Sequence, residues 1–243
     1  MFSFRQIKTQ PNDDLHNLSV VSDSQEQRRA TLAELRQRCA ARAPQKPRFS
    51  TELPVLDRAL GGGLPRGQLV EAVGQTGRLS LSLWLLAVAT RRKETVALID
   101  GADALDPTSA AEQGIDLQKM IWVRAQKGLV ALRTAELVLG CTGLSLVVVY
   151  LVCVEKNAHL TSPTTWSRLS LRLQRTGTSM LVVSEQPLAQ SFAAATLAMG
   201  RQNCRWQATP GGRSRLLAQS TRIEVVRSRL GAPGDVQPFH LAK

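Results

Sequence analysis

Gly61 to Arg92 reads GGGLPRGQLVEAVGQTGRLSLSLWLLAVATRR. A turn rich in glycine and proline leads into a short apolar run, QLVEAVG, of the length expected for a buried strand. A second glycine turn then opens a longer run with the character of a helix. Strand, glycine turn and helix together cradle phosphate groups when the turn carries G-x-x-x-x-G-K-[ST]. Here Gly74 to Ser82 reads GQTGRLSLS, and that motif is absent.

Outward from this unit the alternation continues. ETVALID, KMIWVRA, LSLVVVYLV and SMLVVSE read as further buried strands, and TSAAEQGI, LVALRTAELVLGCTG and TTWSRLSLRLQRTG as the helices between them. Such alternation predicts an α/β fold, a mostly parallel central sheet flanked by helices on both faces. After Gln186 the pattern changes: PLAQSFAAATLAMG reads as compact and helix-prone. NCRWQAT and LLAQSTRIEVVRSRL then read as two strands joined around Pro210-Gly211-Gly212, a C-terminal antiparallel ribbon. Between Arg201 and Arg229 there are seven arginines and one acid, Glu224.

Three regions follow. Residues 1–48 form an arm with a helix capped at Ser24, whose thin apolar stripe of Leu32, Leu35 and Cys39 lies beside Arg28, Arg36 and Arg42. Residues 49–231 form the core domain, and 232–243 a proline-bearing surface strap.

Composition narrows the functional classes. The 243 residues carry 31 Lys+Arg against 19 Asp+Glu, a net charge of +12, which favours polyanionic partners. Aromatic residues are only 4%, so a base-stacking platform is not expected. Cys39, Cys141, Cys153 and Cys204, like His16, His159 and His240, are scattered, which argues against a zinc cluster or disulfide framework. Ser80 and Ser184 have no histidine nearby to build a hydrolase triad. The longest apolar stretch, Leu144 to Val154, falls short of the roughly 20 residues of a membrane span. The chain is expected to be cytoplasmic.

FSTELPVLDRALGGGLPRGQLVEAVG, LIDGADALDP, GIDLQKMIWVRAQKGLVALRTAELVLGCTG, LSLVVVYLVCV, LVVSEQ and RIEVVRSRLGAPG resemble segments of the RecA family, the recombinase ATPases, in the same order across residues 49–234. The resemblance implies the RecA-like fold. Aligned without gaps from Gly74, it places the family's last loop glycine on Leu79, its lysine on Ser80 and its threonine on Leu81. The lysine supplies charge to the β- and γ-phosphates and the hydroxyl helps to hold magnesium. Matching Gly77 and Arg78 to the glycine–lysine pair instead needs a loop two residues shorter, and leaves Leu79 in place of the hydroxyl.

Two more positions depart from the family. Tyr150 stands where the resemblance puts the Walker B aspartate, and Ala102 where it puts the glutamate that activates water, with Asp103 one residue along. A phenol with a pKa of about 10 is a poor magnesium ligand at neutral pH. Charge-holder, metal-holder and base are lost together, so the expectation is a pseudo-ATPase without a cofactor. Gln186 matches the family's nucleotide-sensing glutamine, and Arg227 and Arg229 match two lysines that reach a neighbouring subunit's phosphates. These arginines read either as a solvated strand face or, with Arg213 and Arg215, as a contact for DNA or another anion. The family's first DNA loop shrinks here to about residues 155–163, with Lys156 and His159 its only candidate cations, so strand exchange is not expected.

Among RecA relatives, the length and the ending RIEVVRSRLGAPG are most similar to ImuA, an accessory protein of a bacterial SOS mutagenesis cassette. That likeness implies partners: ImuB, which is a catalytically inactive Y-family polymerase relative, then an error-prone C-family polymerase, RecA itself and DNA. A place at the nucleoid after damage is expected with these partners, and the short apolar stretch predicts no membrane partner. Two alternatives are a SulA-like division inhibitor and a RecA paralogue that still hydrolyses ATP.

Overall fold

The computed structural model describes residues 47–151, 158–208, 214–230 and 234–242, with side chains for 47–151, 160–200 and 222–230. The predicted arm helix at 24–42, residues 155–157 of the shortened first loop with Lys156, Arg213, and the side chains of His159 and Arg215 lie outside what is described.

A small antiparallel pair, β1 (Arg48–Phe49) with β2 (Leu64–Pro65), flanks α1 (Pro54–Ala59). The Asp57 carboxylate on α1 accepts from the Thr51 amide at 2.8 Å and the Ser50 hydroxyl at 2.7 Å, which holds this approach to the sheet. Then come β3 (Leu69–Gly74), α2 (Arg78–Arg91), β4 (Thr95–Asp100), α3 (Pro107–Glu112) and β5 (Met120–Arg124). After these follow α4 (Gly128–Val138), β6 (Leu144–Leu151), α5 (Pro163–Thr176), β7 (Ser179–Ser184), β8 (Ala195–Ala208), β9 (Ser214–Ser228) and β10 (Gly234–Ala242). The strands form one eight-stranded sheet in the order β10-β9-β8-β3-β7-β6-β4-β5. From β8 to β5 every pairing is parallel, and β9 and β10 add antiparallel at the other side.

Strand alternation splits the core into two layers. Val70, Ala72, Leu146, Val148 and Tyr150 pack with α2, while Leu69, Val147, Val149 and Val182 pack with α4 and α5. Helix α2 buries Leu81, Leu85, Leu86, Val88 and Ala89, nearly its whole circumference, as a helix lying on the middle of a sheet must. By contrast α5 buries a single stripe, Trp166, Leu169 and Leu173, behind Pro163 at its start and ahead of Gly177 at its end.

Three local expectations give way. The Ala-rich stretch after Gln186 contains only a short 3₁₀ turn at Gln190–Phe192 before β8 begins at Ala195. Ala193, Ala194 and Ala195 are fully buried there, so their small size serves close strand packing rather than helix formation. KMIWVRA reads as a buried strand, yet β5 is the edge strand and leaves Ile121 44% exposed. The closing segment is strand β10 rather than a strap: its pairing with β9 slips between Val236 and Phe239, an interval containing Pro238. An edge strand with an irregularity is where a sheet tolerates a residue lacking an N–H. No helix among the described residues is long and apolar enough to cross a membrane.

Candidate functional site

The register lines up the carboxyl ends of four adjacent parallel strands. Val73 of β3 pairs with Ser184 of β7, Leu151 of β6 with the same Ser184, and Asp100 of β4 with Tyr150 of β6. Gly74, Asp100 to Ala102, Tyr150 and Ser184 to Gln186 therefore share one crest of the sheet, where open α/β folds place ligands. Gly74 is demanded by packing: a Cβ there would sit 2.0 Å from the carbonyl oxygen of Met199 on β8, and its φ is +125°.

From Gly74 the chain turns through Gln75, Thr76 and Gly77 into α2, which begins at Arg78. Gly77 has φ 85°, no side chain caps the helix, and its first turn contains no acid. Leu79 and Ser80 are half-buried and Leu81 is wholly buried in the α2 layer. At the position expected of a magnesium-binding hydroxyl there is thus an apolar side chain turned into the core.

Tyr150 is also buried, and its hydroxyl lies 2.7 Å from Ser82 Oγ. Ser82 Oγ donates to the Leu79 carbonyl at 2.7 Å. Serine has one hydroxyl proton, so Tyr150 donates to Ser82 and the chain of bonds runs from β6 through α2 to its first turn. Burial pushes the phenol well above its ordinary pKa, against the opposing Ser82 bond and with a smaller push from Asp100. Tyr150 is a neutral donor here, with its oxygen engaged.

Asp100 is the buried carboxylate of this crest, and the backbone takes it. It accepts from the amides of Ala102 at 3.2 Å, Ala104 at 3.1 Å and Leu105 at 3.0 Å. Ala102 offers no carboxylate, and Asp103 turns to β5, where Arg124 binds both its oxygens at 2.7 and 2.5 Å. The Arg124 guanidinium holds the Asp103 carboxyl below its usual range. Gln186 is exposed, and its carbonyl accepts from Ser184 Oγ at 2.8 Å. Among the described residues no cluster of three or more His, Cys, Asp or Glu is placed to hold a metal.

Arg227 and Arg229 lie away from this crest. Thr196 pairs with Arg227 on β9 and with Glu71 on β3, three residues back from Gly74. Arg227 Nη1 donates to the Gln190 carbonyl, and Arg229 Nη2 to those of Phe192 and Ala193, both at 3.2 Å. Sequence reasoning missed their companion, Glu71, whose side chain is fully buried. Its Oε1 accepts from the Leu188 and Ala189 amides, each at 2.7 Å, and Thr196 Oγ1 approaches Oε2 at 3.4 Å. Burial raises the Glu71 pKa, while these donors and the charge of Arg227 lower it in part. The signal was present: an acid inside the otherwise apolar run QLVEAVG. Together Glu71, Arg227 and Arg229 fasten the segment from Leu188 to Ala193 to the sheet.

Comparison with known proteins agrees with this geometry. The RecA N-terminal domain matches residues 37–163. Protein RecA of Rubrobacter xylanophilus is 31% identical over 217 residues, 80% of this chain and 59% of that protein. Protein RecA of Acholeplasma laidlawii is 29% identical over 182 residues, covering 71% and 55% of the two chains. Protein RecA of Prochlorococcus marinus is 36% identical over 103 residues, covering 42% and 28%. The chain spans little more than half the length of the first two.

Proposed function

The chain belongs to the RecA N-terminal domain family, and from that premise we propose that it is a non-catalytic, ImuA-like accessory protein of damage-induced, error-prone translesion DNA synthesis. The observation that carries this reading is the hydrogen-bonded bridge Tyr150–Ser82–Leu79 with Leu81 buried beside it. The groups that would grip a triphosphate and its metal are replaced by groups that serve the fold. Removing such groups from a phosphoryl-transfer site costs orders of magnitude in rate. A member of this family without that chemistry acts through its surfaces, and the net charge of +12 suits DNA or acidic proteins. The proposed partners are an inactive Y-family polymerase of the ImuB type, an error-prone C-family polymerase, RecA and DNA.

Two measurements test the proposal. Titration of fluorescent ATP with Mg²⁺ should give no saturable binding, and micromolar affinity would restore the reading as an ATPase. Mixing with the inactive Y-family polymerase should give a complex on a sizing column. Separate elution of the two proteins would remove the translesion role.

A further inference from the structure

At the base of the sheet, the end opposite the crest, lies a cavity of about 670 Å³. That volume falls within the roughly 300–1,000 Å³ of ligand sites. Its floor is the turn Gly67–Gln68 that leads into β3. A Cβ at Gly67 would sit 3.3 Å from the Leu173 carbonyl oxygen, and its φ is +72°, so glycine lets α5 close against this turn. One wall is the face of α5 that bears Ser167, Ser170, Leu171 and Gln174, spaced i, i+3, i+4 and i+7. The facing wall is Ser191, Phe192, Arg229 and Leu230. That wall is fastened to the sheet: the Ala194 amide donates to the Leu69 carbonyl at 2.8 Å, and the Arg229 amide to the Ala194 carbonyl at 2.9 Å. The cavity is thus preformed.

The other faces of α5 already have a use. Trp166, Leu169 and Leu173 enter the core, and Arg168 and Arg172 face Glu136 of α4. The cavity face has none within the described chain: Leu171 is 52% exposed, and the side chains of Gln68, Ser167, Ser170, Gln174 and Ser191 hydrogen-bond to no described residue. No carboxylate lines the cavity, and Arg229 is its one cation. Nη2 of Arg229 is held by the Phe192 and Ala193 carbonyls, which fixes the guanidinium and leaves Nε and Nη1 without a partner among the described residues. We infer that this cavity binds a short extended peptide of a partner protein that carries an acidic residue beside an apolar one. Side-chain amides and hydroxyls both donate and accept, as peptide groups do. Leu171, Phe192 and Leu230 cover an apolar side chain, and Arg229 pairs with the carboxylate. A single cation and a single aromatic ring are a poor match for nucleic acid, which takes rows of cations and stacking platforms. The net charge of +12 favours the approach of an acidic segment. This rests on the reading given above, in which the chain acts through its surfaces, and it names one of them.

The test titrates the full chain into fluorescein-labelled hexapeptide pools and follows anisotropy. One pool pairs an apolar with an acidic residue, a second replaces the acid by its amide, and a third replaces the apolar residue by serine. A labelled oligothymidylate is titrated alongside. The first pool should bind saturably, and the other two at least tenfold more weakly. Arg229→Gln, which keeps a donor for the carbonyls of the wall, should bring the acidic and amide pools level. Leu171→Asp, a change at an exposed position, should abolish binding at an unchanged melting temperature. Leu137→Asp, on the exposed face of α4, should bind as wild type does. Equal binding of all pools, no saturable binding, or full binding by Leu171→Asp would overturn the site. Oligothymidylate binding lost in Leu171→Asp would also overturn it, by making the cavity a nucleic-acid site. Magnesium-dependent ATP binding would instead overturn the proposed function and leave the peptide result standing, so the two failures are distinguishable.

Discussion

Glu71 shows how one side chain can hold a segment far away in sequence. It sits on β3, yet its carboxylate bonds the amides of Leu188 and Ala189. Truncation by Glu71→Ala leaves two amides without their acceptor and should cost on the order of 3 kcal/mol in chemical denaturation. Ionisation has its own signature. Burial raises this carboxyl's folded-state pKa, so the folded protein holds the proton more tightly than the unfolded chain. Its contribution to stability is therefore full below the unfolded value of about 4.3, and declines as pH rises through the raised folded value. Glu71→Gln removes that decline. The difference in stability between Glu71→Gln and wild type should rise with pH across this window and then level off. A difference independent of pH would mean that Glu71 does not titrate with folding. Groups with lowered pKa values, such as Glu136 beside Arg168, act on both proteins and cancel in the difference.

At the scale of elements, the segment between β7 and β8 is tied down from both neighbours of its landing strand. Glu71 holds it from β3, and Arg227 and Arg229 hold it from the end of β9. Arg229→Ala removes donors to the Phe192 and Ala193 carbonyls, worth about 1 kcal/mol each. Amide exchange through residues 190–194 should quicken by roughly tenfold, with β3 and β7 unaffected. Exchange unchanged from wild type would assign these bonds no role in holding the segment. The same tie explains why an alanine-rich stretch fails to become a helix. Once Leu188 and Ala189 are pinned beside β3, the chain reaches the sheet within a few residues and Ala195 pairs with Val70.

For the whole molecule, the net charge of +12 is the widest-ranging property. Many described arginines are spoken for: Arg66, Arg91, Arg92, Arg124, Arg168 and Arg172 each face a carboxylate. Arg213 and Arg215, with Arg227 and Arg229, are the proposed DNA contact, although Arg227 and Arg229 also donate to the carbonyls of Gln190, Phe192 and Ala193 and so hold that segment as well. If about five phosphates are engaged, log K should fall against log[salt] with a slope of about −4 to −5. Replacing all four arginines by alanine should flatten that slope in filter binding or anisotropy. An unchanged slope would move the contact elsewhere, for instance to Arg28 and Arg29 of the arm.

Much of this protein was legible without coordinates, because periodicity is a local property. The runs from QLVEAVG to SMLVVSE became the five strands β3 to β7, and the apolar stripes between them became helices. The absence of G-x-x-x-x-G-K-[ST] from Gly74 to Ser82 was equally plain from the letters alone. What the letters do not carry is where a side chain ends up. Whether an acid in a strand is a ligand or a clasp depends on the neighbours that sheet order supplies, and only the tertiary arrangement set Glu71 against Leu188. It likewise turned Tyr150 toward Ser82, sent Asp103 to Arg124, and buried Arg78 Nε and Nη1 with no hydrogen-bond partner among the described residues. Hydrophobic pattern determines which elements form; burial and hydrogen bonding between distant segments determine what each polar group is left to do.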